Sequence, residues 1–161
     1  MRRNAHISDL HFCRTDAAVV EALTEELNRD APDLVAVSGD LTMRARRREY
    51  RAARAFLDRL RSPVLAVPGN HDITPFRLLE RFLDPLARWR RHVAEEPEPV
   101  FADGEIAVVG INTASRAGAL FDWSRGRVRR SGLARAVQRL RALPPGLFRI
   151  VVAHHPFLPP E

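Results

Sequence analysis

The chain has 161 residues, 45% of them hydrophobic, enough for one core in one domain, with a formal net charge of +6 and a pI of about 11.1. No apolar run approaches the roughly 18 residues that a membrane helix needs, and Cys13, the only cysteine, has no partner for an intrachain disulfide. All 26 basic residues are arginine, concentrated in helix-like stretches such as Arg44–Arg61 with little aromatic interleaving, so the charge reads as solvated helix faces and a nucleic-acid partner is disfavoured.

The first polar cluster begins at residue 9, which leaves no room for a signal peptide ahead of it. With one thiol and no disulfide, this places the expected setting in the reducing cytoplasm. Internal repeats and low-complexity tracts are absent from the sequence.

Taken in chain order, Asn4–Ser8 is a short apolar run that reads as a strand. Asp16–Asn28 follows with Val19, Val20, Leu23 and Leu27 on one helical stripe. Leu34–Ser38 is a second strand. Arg47–Arg61 is a second helix, carrying Tyr50, Ala53, Phe56, Leu57 and Leu60 on its apolar face. Val64–Val67 is a third strand. Pro75–Trp89 predicts one or two short helices broken at Pro85, since proline cannot continue a helix. Val100–Ala102 and Glu105–Ile111 flank Asp103-Gly104, a strong hairpin signal, so this pair is expected to be antiparallel. Ser131 is the expected N-cap of a helix through Leu143, ended by Pro144-Pro145-Gly146, and Phe148–Ala153 is a last strand. Strands alternating with helices in the first half imply βαβ units with parallel neighbours and right-handed crossovers.

Polar clusters follow four of these strands: Asp9-Leu10-His11, Gly39-Asp40, Gly69-Asn70-His71-Asp72 and His154-His155-Pro156. In parallel α/β sheets the carboxyl ends of strands are where loops converge on a ligand. Asp and His supply anionic and imidazole donors, and an Asn carbonyl adds a neutral oxygen. Asp9 and His11, two residues apart, are expected on one side of an extended segment. Asp40 can join two ions with one carboxylate, and Gly39 permits a close backbone approach. Asn70 offers its amide oxygen, and His71 is placed to act on substrate. His154 is the better ligand of the histidine pair, while His155 is expected to face substrate or build the loop wall. Cys13 is expected to pack rather than ligate.

His6-Ile7-Ser8-Asp9-Leu10-His11-Phe12, Ser38-Gly39-Asp40-Leu41-Thr42, Pro68-Gly69-Asn70-His71-Asp72 and His154-His155-Pro156 together resemble the successive motifs of the calcineurin-like metallophosphoesterase superfamily, in order and over nearly the whole chain. Ile111-Asn112-Thr113 and Asp122-Trp123-Ser124-Arg125-Gly126 are similar to the bacterial branch that includes class III cyclic-nucleotide phosphodiesterases. The resemblance implies a four-layer α/β/β/α sandwich and a two-metal centre of Mn, Fe or Zn. It implies that Asp9 and His11 hold one ion, Asp40 bridges, Asn70 and His154 hold the other, and a bridging hydroxide attacks phosphorus while His71 protonates the leaving oxygen or stabilises its charge. The implied activity is hydrolysis of a small phosphoester, most readily a diester such as a cyclic nucleotide.

The resemblance has two departures. No Gly-His-x-His follows His155, so the expectation is a single domain, residues 1–161, truncated at its C-terminus, with one ligand missing from each ion. Thr42-Met43 stands where some branches carry a carboxylate that orients the catalytic histidine, so no partner for His71 can be named from the sequence. The alternative function is a truncated or metal-poor relative that binds phosphate compounds or a partner chain without efficient turnover. Arg116, Arg125 and Arg127, in the loop between Asn112 and Ser131, are candidates for a phosphate contact or a solvated loop.

Overall fold

The computed structural model describes residues 2–115 and 126–157. Strands β1 (Asn4–Ile7), β2 (Leu34–Val37) and β3 (Val64–Ala66) form one parallel sheet in the order β1-β2-β3. Strands β4 (Val100–Ala102), β5 (Ile106–Gly110) and β6 (Phe148–Val152) form a second sheet, antiparallel between β4 and β5 and parallel between β5 and β6. The expected βαβ half and the expected hairpin are therefore both present. Asp103 makes the hairpin turn itself, its Oδ1 accepting from the Glu105 and Ile106 amides at 2.7 and 2.8 Å.

Helix α1 (Ala17–Asp30) connects β1 to β2, and α2 (Arg47–Leu57) connects β2 to β3. Asp16 starts α1 by accepting a hydrogen bond from the Ala18 amide at 2.7 Å, and Ala31 ends it in the left-handed region. The segment 75–89 resolves into two helices, α3 (Leu78–Leu83) and α4 (Ala87–His92), with the break at Pro85 where the sequence puts it. Helix α5 (Arg130–Ala142) precedes β6.

Alternation along β2 and β3 builds the layers. Val35, Val37 and Ala66 face outward into a cluster with Leu27 of α1, Tyr50, Ala53, Phe56 and Leu57 of α2, and Trp89 of α4. Leu34, Ala36 and Leu65 face the other way and meet Ile106, Val108 and Val152 of the second sheet. Val109 and Ile111 cover the far side of that sheet, with Ala136 and Leu140 of α5 against them. The result is the four-layer α/β/β/α arrangement, two helix layers outside two facing sheets.

Helix α5 corrects one expectation. It begins at Arg130, with Arg129 at the boundary and no side-chain cap, so Ser131 lies inside the first turn instead of capping it. Packing of Ala136 and Leu140 on β5 sets where this helix sits, and the serine is incidental.

Candidate metal centre

Asp9, Asp40 and His154 each follow a strand, as expected, and their ligand-type atoms lie within 4.8 Å of one another. His154 Nε2 is 3.4 Å from Asp40 Oδ2 and 3.2 Å from Asn70 Oδ1. His11 Nε2 is 3.7 Å from Asp9 Oδ1 and 3.9 Å from the same Asp40 Oδ2. One oxygen of Asp40 thus lies near two imidazoles. His11 and His154 spacings of 3.4–3.9 Å from carboxylate oxygens exceed ordinary hydrogen bonds and suit donors sharing a cation, given metal–ligand bonds of about 2.0–2.2 Å. The donor set, two carboxylates, an amide oxygen and two imidazoles, fits Mn, Fe or Zn chemistry.

The loops that carry these groups are tied to one another before any ion is considered. The Asp9 amide donates to Gly39 O at 3.1 Å, His11 to Asp40 O at 2.9 Å and Phe12 to Leu41 O at 2.9 Å. The β1–β2 ladder is in effect prolonged through these loops. Within it Asp9, His11 and Asp40 all have left-handed backbone, with φ of 57°, 45° and 52°. That conformation costs about 1–2 kcal/mol per residue, and the cross-loop hydrogen bonds hold it in place. Asp9 and His11 therefore reach the site from left-handed turns and not from the extended segment that their spacing suggested.

Two glycines make the approach possible. Gly39 has φ of +98°, and a Cβ on it would lie 2.8 Å from both the Gly69 amide nitrogen and His154 Nδ1. A Cβ on Gly69 would fall on the Asp40 carboxylate.

Asp40 is buried, which pushes its carboxyl up, but His154 beside it and the His71 amide outweigh the burial and hold it below the usual carboxylate range. Burial likewise works against charge on His154, and the Asp40 carboxylate with the Ser38 carbonyl reverses it, leaving the imidazole raised. Each of the two side chains thus favours the charged form of the other. His154 Nδ1 donates to Ser38 O at 2.8 Å, which turns Nε2 toward Asp40 and Asn70.

His71 sits on a short 3-10 turn, Asn70–Asp72, right after β3. Its Nδ1 is 2.7 Å from the Met43 carbonyl, which must accept, so the remaining ring nitrogen is Nε2. The partner that the sequence could not supply is a backbone carbonyl at the position where the expected carboxylate is missing. The His71 amide also donates to Asp40 Oδ1 at 2.9 Å, and its ring meets His11 edge-on at 4.9 Å.

Asp72 is the residue whose part sequence reasoning missed. It is 1% exposed, and its carboxylate accepts from the Gly69 amide at 3.0 Å, the Leu41 amide at 3.3 Å, and the Thr42 amide and hydroxyl, both at 2.9 Å. The Tyr50 hydroxyl donates to the Asp72 carbonyl at 2.6 Å. Burial, with Asp40 nearby, pushes the Asp72 carboxyl up to about 6 despite those donors. Asp72 is a clamp that joins the loop after β2 to the loop after β3. Its position at the end of Gly69-Asn70-His71-Asp72 was the only signal for it.

His155 builds the loop wall, one of its two expected roles. Its Nδ1 lies 2.8 Å from the Thr113 hydroxyl, its amide donates to Thr113 Oγ1 at 3.2 Å, and its ring meets that of His154 edge-on at 4.6 Å. Arg127 is exposed, and its amide donates to Thr113 O at 2.9 Å. Arg116 and Arg125, with Asp122-Trp123-Ser124, lie outside the described residues. Cys13 is exposed rather than packed. Among the described residues no helix is long and apolar enough to cross a membrane.

The four-layer sandwich is that of a metallophosphoesterase, and comparison with known proteins agrees on the family. The model of the calcineurin-like phosphoesterase family matches residues 3–160, and the chain belongs to that family. It is 43% identical over 79 residues to a glycerophosphodiester phosphodiesterase, GpdQ, of Enterobacter lignolyticus, covering 42% of this chain and 28% of that protein. The chain therefore spans well under a third of that relative. Its fold is similar to that of the phosphopantetheinyl hydrolase PptH from Mycobacterium tuberculosis, at a TM-score of 0.56 and 19% identity, over 97% of this chain and 69% of that one.

Proposed function

We propose that this chain is a metal-dependent phosphoester hydrolase, acting on phosphodiesters, with metal ions held by Asp9, His11, Asp40, Asn70 and His154 and with His71 as the proton donor to the leaving oxygen. The observation that carries this reading is the single Asp40 carboxylate flanked by His11 and His154, with Asp9 and Asn70 completing the two sides. When bound, the metal ions supply Lewis acidity toward the phosphoryl oxygens and a water made acidic enough to react near neutral pH.

The chain's own groups do the rest. Asp40 Oδ1 is retained by the His71 amide, which leaves Oδ2 toward the two imidazoles and supports a shared carboxylate. Asp72 keeps the Asp40 and Asn70 loops in register without touching substrate. His71 donates through Nδ1 to Met43 O whether the ring is charged or neutral. Delivery of the Nε2 proton to a leaving alkoxide leaves a neutral tautomer whose hydrogen bond is already formed, so no side chain has to reorganise. The GpdQ similarity favours diesters over monoesters. A small cyclic nucleotide is one diester of the right class.

The test is a substrate panel in added Mn²⁺: bis(p-nitrophenyl) phosphate, p-nitrophenyl phosphate and a cyclic nucleotide, alongside metal analysis of the purified protein. Metal-stimulated turnover with the diester favoured is the expected result. Metal content near zero together with no metal-stimulated turnover overturns the reading.

A further inference from the structure

Beside the proposed metal centre lies a cavity of about 410 Å³ lined by Met43, Arg44, Asn70, His71, Ile73, Pro75 and Arg81. Ile73 and Pro75 give it an apolar part, and its basic groups come from two separate elements. Arg81 of α3 is 2% exposed, with its guanidinium against the Thr74 carbonyl at 3.1 Å and the Ile73 carbonyl at 3.5 Å. Arg44 is exposed at the rim. Its guanidinium lies 5.8 Å from the centroid of the Phe76 ring, and that of Arg46 lies 5.7 Å from the same ring.

The segment that presents Arg44 is fixed. Glu49, buried at 2% exposure, accepts from the Arg44 amide at 2.8 Å and the Arg46 amide at 3.1 Å. Between them Ala45 has φ of 51°, donates to the Thr42 hydroxyl at 3.1 Å, and accepts from Arg88 at 2.7 Å. Arg88 is itself held by Glu80 at 2.9 Å. Glu49 and Glu80 thus serve the backbone and Arg88, and no carboxylate pairs with the Arg44 or Arg46 guanidinium among the described residues. Two cations thus stand over the exposed Phe76 ring, and one of them, Arg44, lines the same cavity as His71.

We propose that this cavity is the leaving-group subsite and that it takes a leaving alcohol bearing its own negative charge, a carboxylate or a second phosphate, set between Arg44 and Arg46 with any planar part against Phe76. The assignment rests on the phosphoesterase reading for its direction, since His71 is the group that meets the leaving oxygen. It restricts the substrate to diesters with a charged alcohol on one side. Guanidinium groups at a partly open rim discriminate anion from neutral isostere mainly through binding, so the effect belongs in affinity and KM.

The test uses a matched pair of probes, 4-carboxyphenyl phenyl phosphate and 4-carbamoylphenyl phenyl phosphate, which differ only in that charge. Calorimetry reads their Kd values on the wild-type chain, Arg44→Ala, Arg46→Ala and a control, Arg149→Ala, on β6. Product chromatography in Mn²⁺ reads which phenol leaves. The expected result is roughly 5- to 10-fold tighter binding of the carboxylate probe, lost in Arg44→Ala, reduced in Arg46→Ala and kept in the control, at ionic strength low enough to limit screening. Release of hydroxybenzoate in preference to phenol, diminished in Arg44→Ala, assigns the cavity to the leaving side. Equal binding of both probes, or a preference that survives Arg44→Ala, overturns the subsite even if both probes are hydrolysed. Charge-selective binding that depends on Arg44 but comes without metal-stimulated turnover keeps the anion site and overturns its leaving-group role together with the hydrolase reading.

Discussion

Strand β2 is buried at all four of its residues, whereas β6 shows Phe148, Arg149 and Val151 to solvent, and yet the loops after both strands meet at one carboxylate. On the first-sheet side Asp9, His11, Asp40 and Asn70 arrive on loops laced by backbone hydrogen bonds and by the Asp72 clamp. On the second-sheet side His154 arrives alone, at the end of the last strand in the order β4-β5-β6, held by Ser38 O and by the neighbouring His155. One half is a preformed cradle, and the other supplies a single one of the proposed ligands. Stability and ligand geometry are therefore expected to respond differently on the two sides.

The largest effect is expected at the carboxylate where the halves meet. Asp40→Ala should reduce metal-stimulated turnover of bis(p-nitrophenyl) phosphate by about 10⁴-fold or to background and lower bound metal, because it removes the oxygen that faces both imidazoles. Far-ultraviolet circular dichroism should remain that of the parent. Turnover within tenfold of wild type would show that the cradle does not centre on Asp40. His71→Gln is expected to cost about 10²–10³-fold in kcat with metal content unchanged, since it deletes proton donation while leaving every proposed ligand in place. A parallel loss of metal would place His71 with the ligands instead.

Asp72→Asn comes next and acts through stability. It puts an amide NH₂ among donors that now meet carboxylate oxygens, leaving some of the Gly69, Leu41 and Thr42 donors unpaired inside the protein. The expected loss is about 2–3 kcal/mol, read as a fall in Tm of roughly 5–10 °C. Metal affinity should weaken as well, because the Asp40 and Asn70 loops lose their link. An unchanged Tm would mean the clamp is not what rigidifies the first-sheet side.

The two sides also differ in how far the sequence could be read. Apolar runs and helical stripes located the six strands of the described residues and the break at Pro85, because burial sets those patterns directly. Strand-end placement brought Asp9, His11, Asp40, Asn70 and His154 to one place. What stayed hidden was the backbone. The left-handed φ of Asp9, His11 and Asp40 belongs to residue types that do not demand it, and it exists only because the loops pair across β1 and β2. The Met43 carbonyl that orients His71 has no side-chain signature at all. Asp72 looks in sequence like one more turn residue, and only its burial reveals a clamp. Ser131 erred in the other direction, the right residue for a cap beside a helix whose position is set by packing.

The most direct probe of the asymmetry is a matched pair, one member of which, at Val151, carries the smallest expected effect. Val37→Ala removes methyl groups from a side chain with no exposure, packed in the cluster under α2, and is expected to cost about 2–3 kcal/mol from lost burial plus the cavity left behind. Val151→Ala is the same chemical change on β6, at a side chain 40% exposed, and should cost under about 0.5 kcal/mol. Paired thermal melts measure both. Native-state hydrogen exchange should agree, with β2 amides opening only near the global unfolding free energy and β6 opening below it, since among the described residues β2 is hydrogen-bonded on both edges and β6 on one. If Val151→Ala destabilises as much as Val37→Ala, the second sheet is as confined as the first. His154 would then belong to the cradle, and metal binding would have no looser side on which to close.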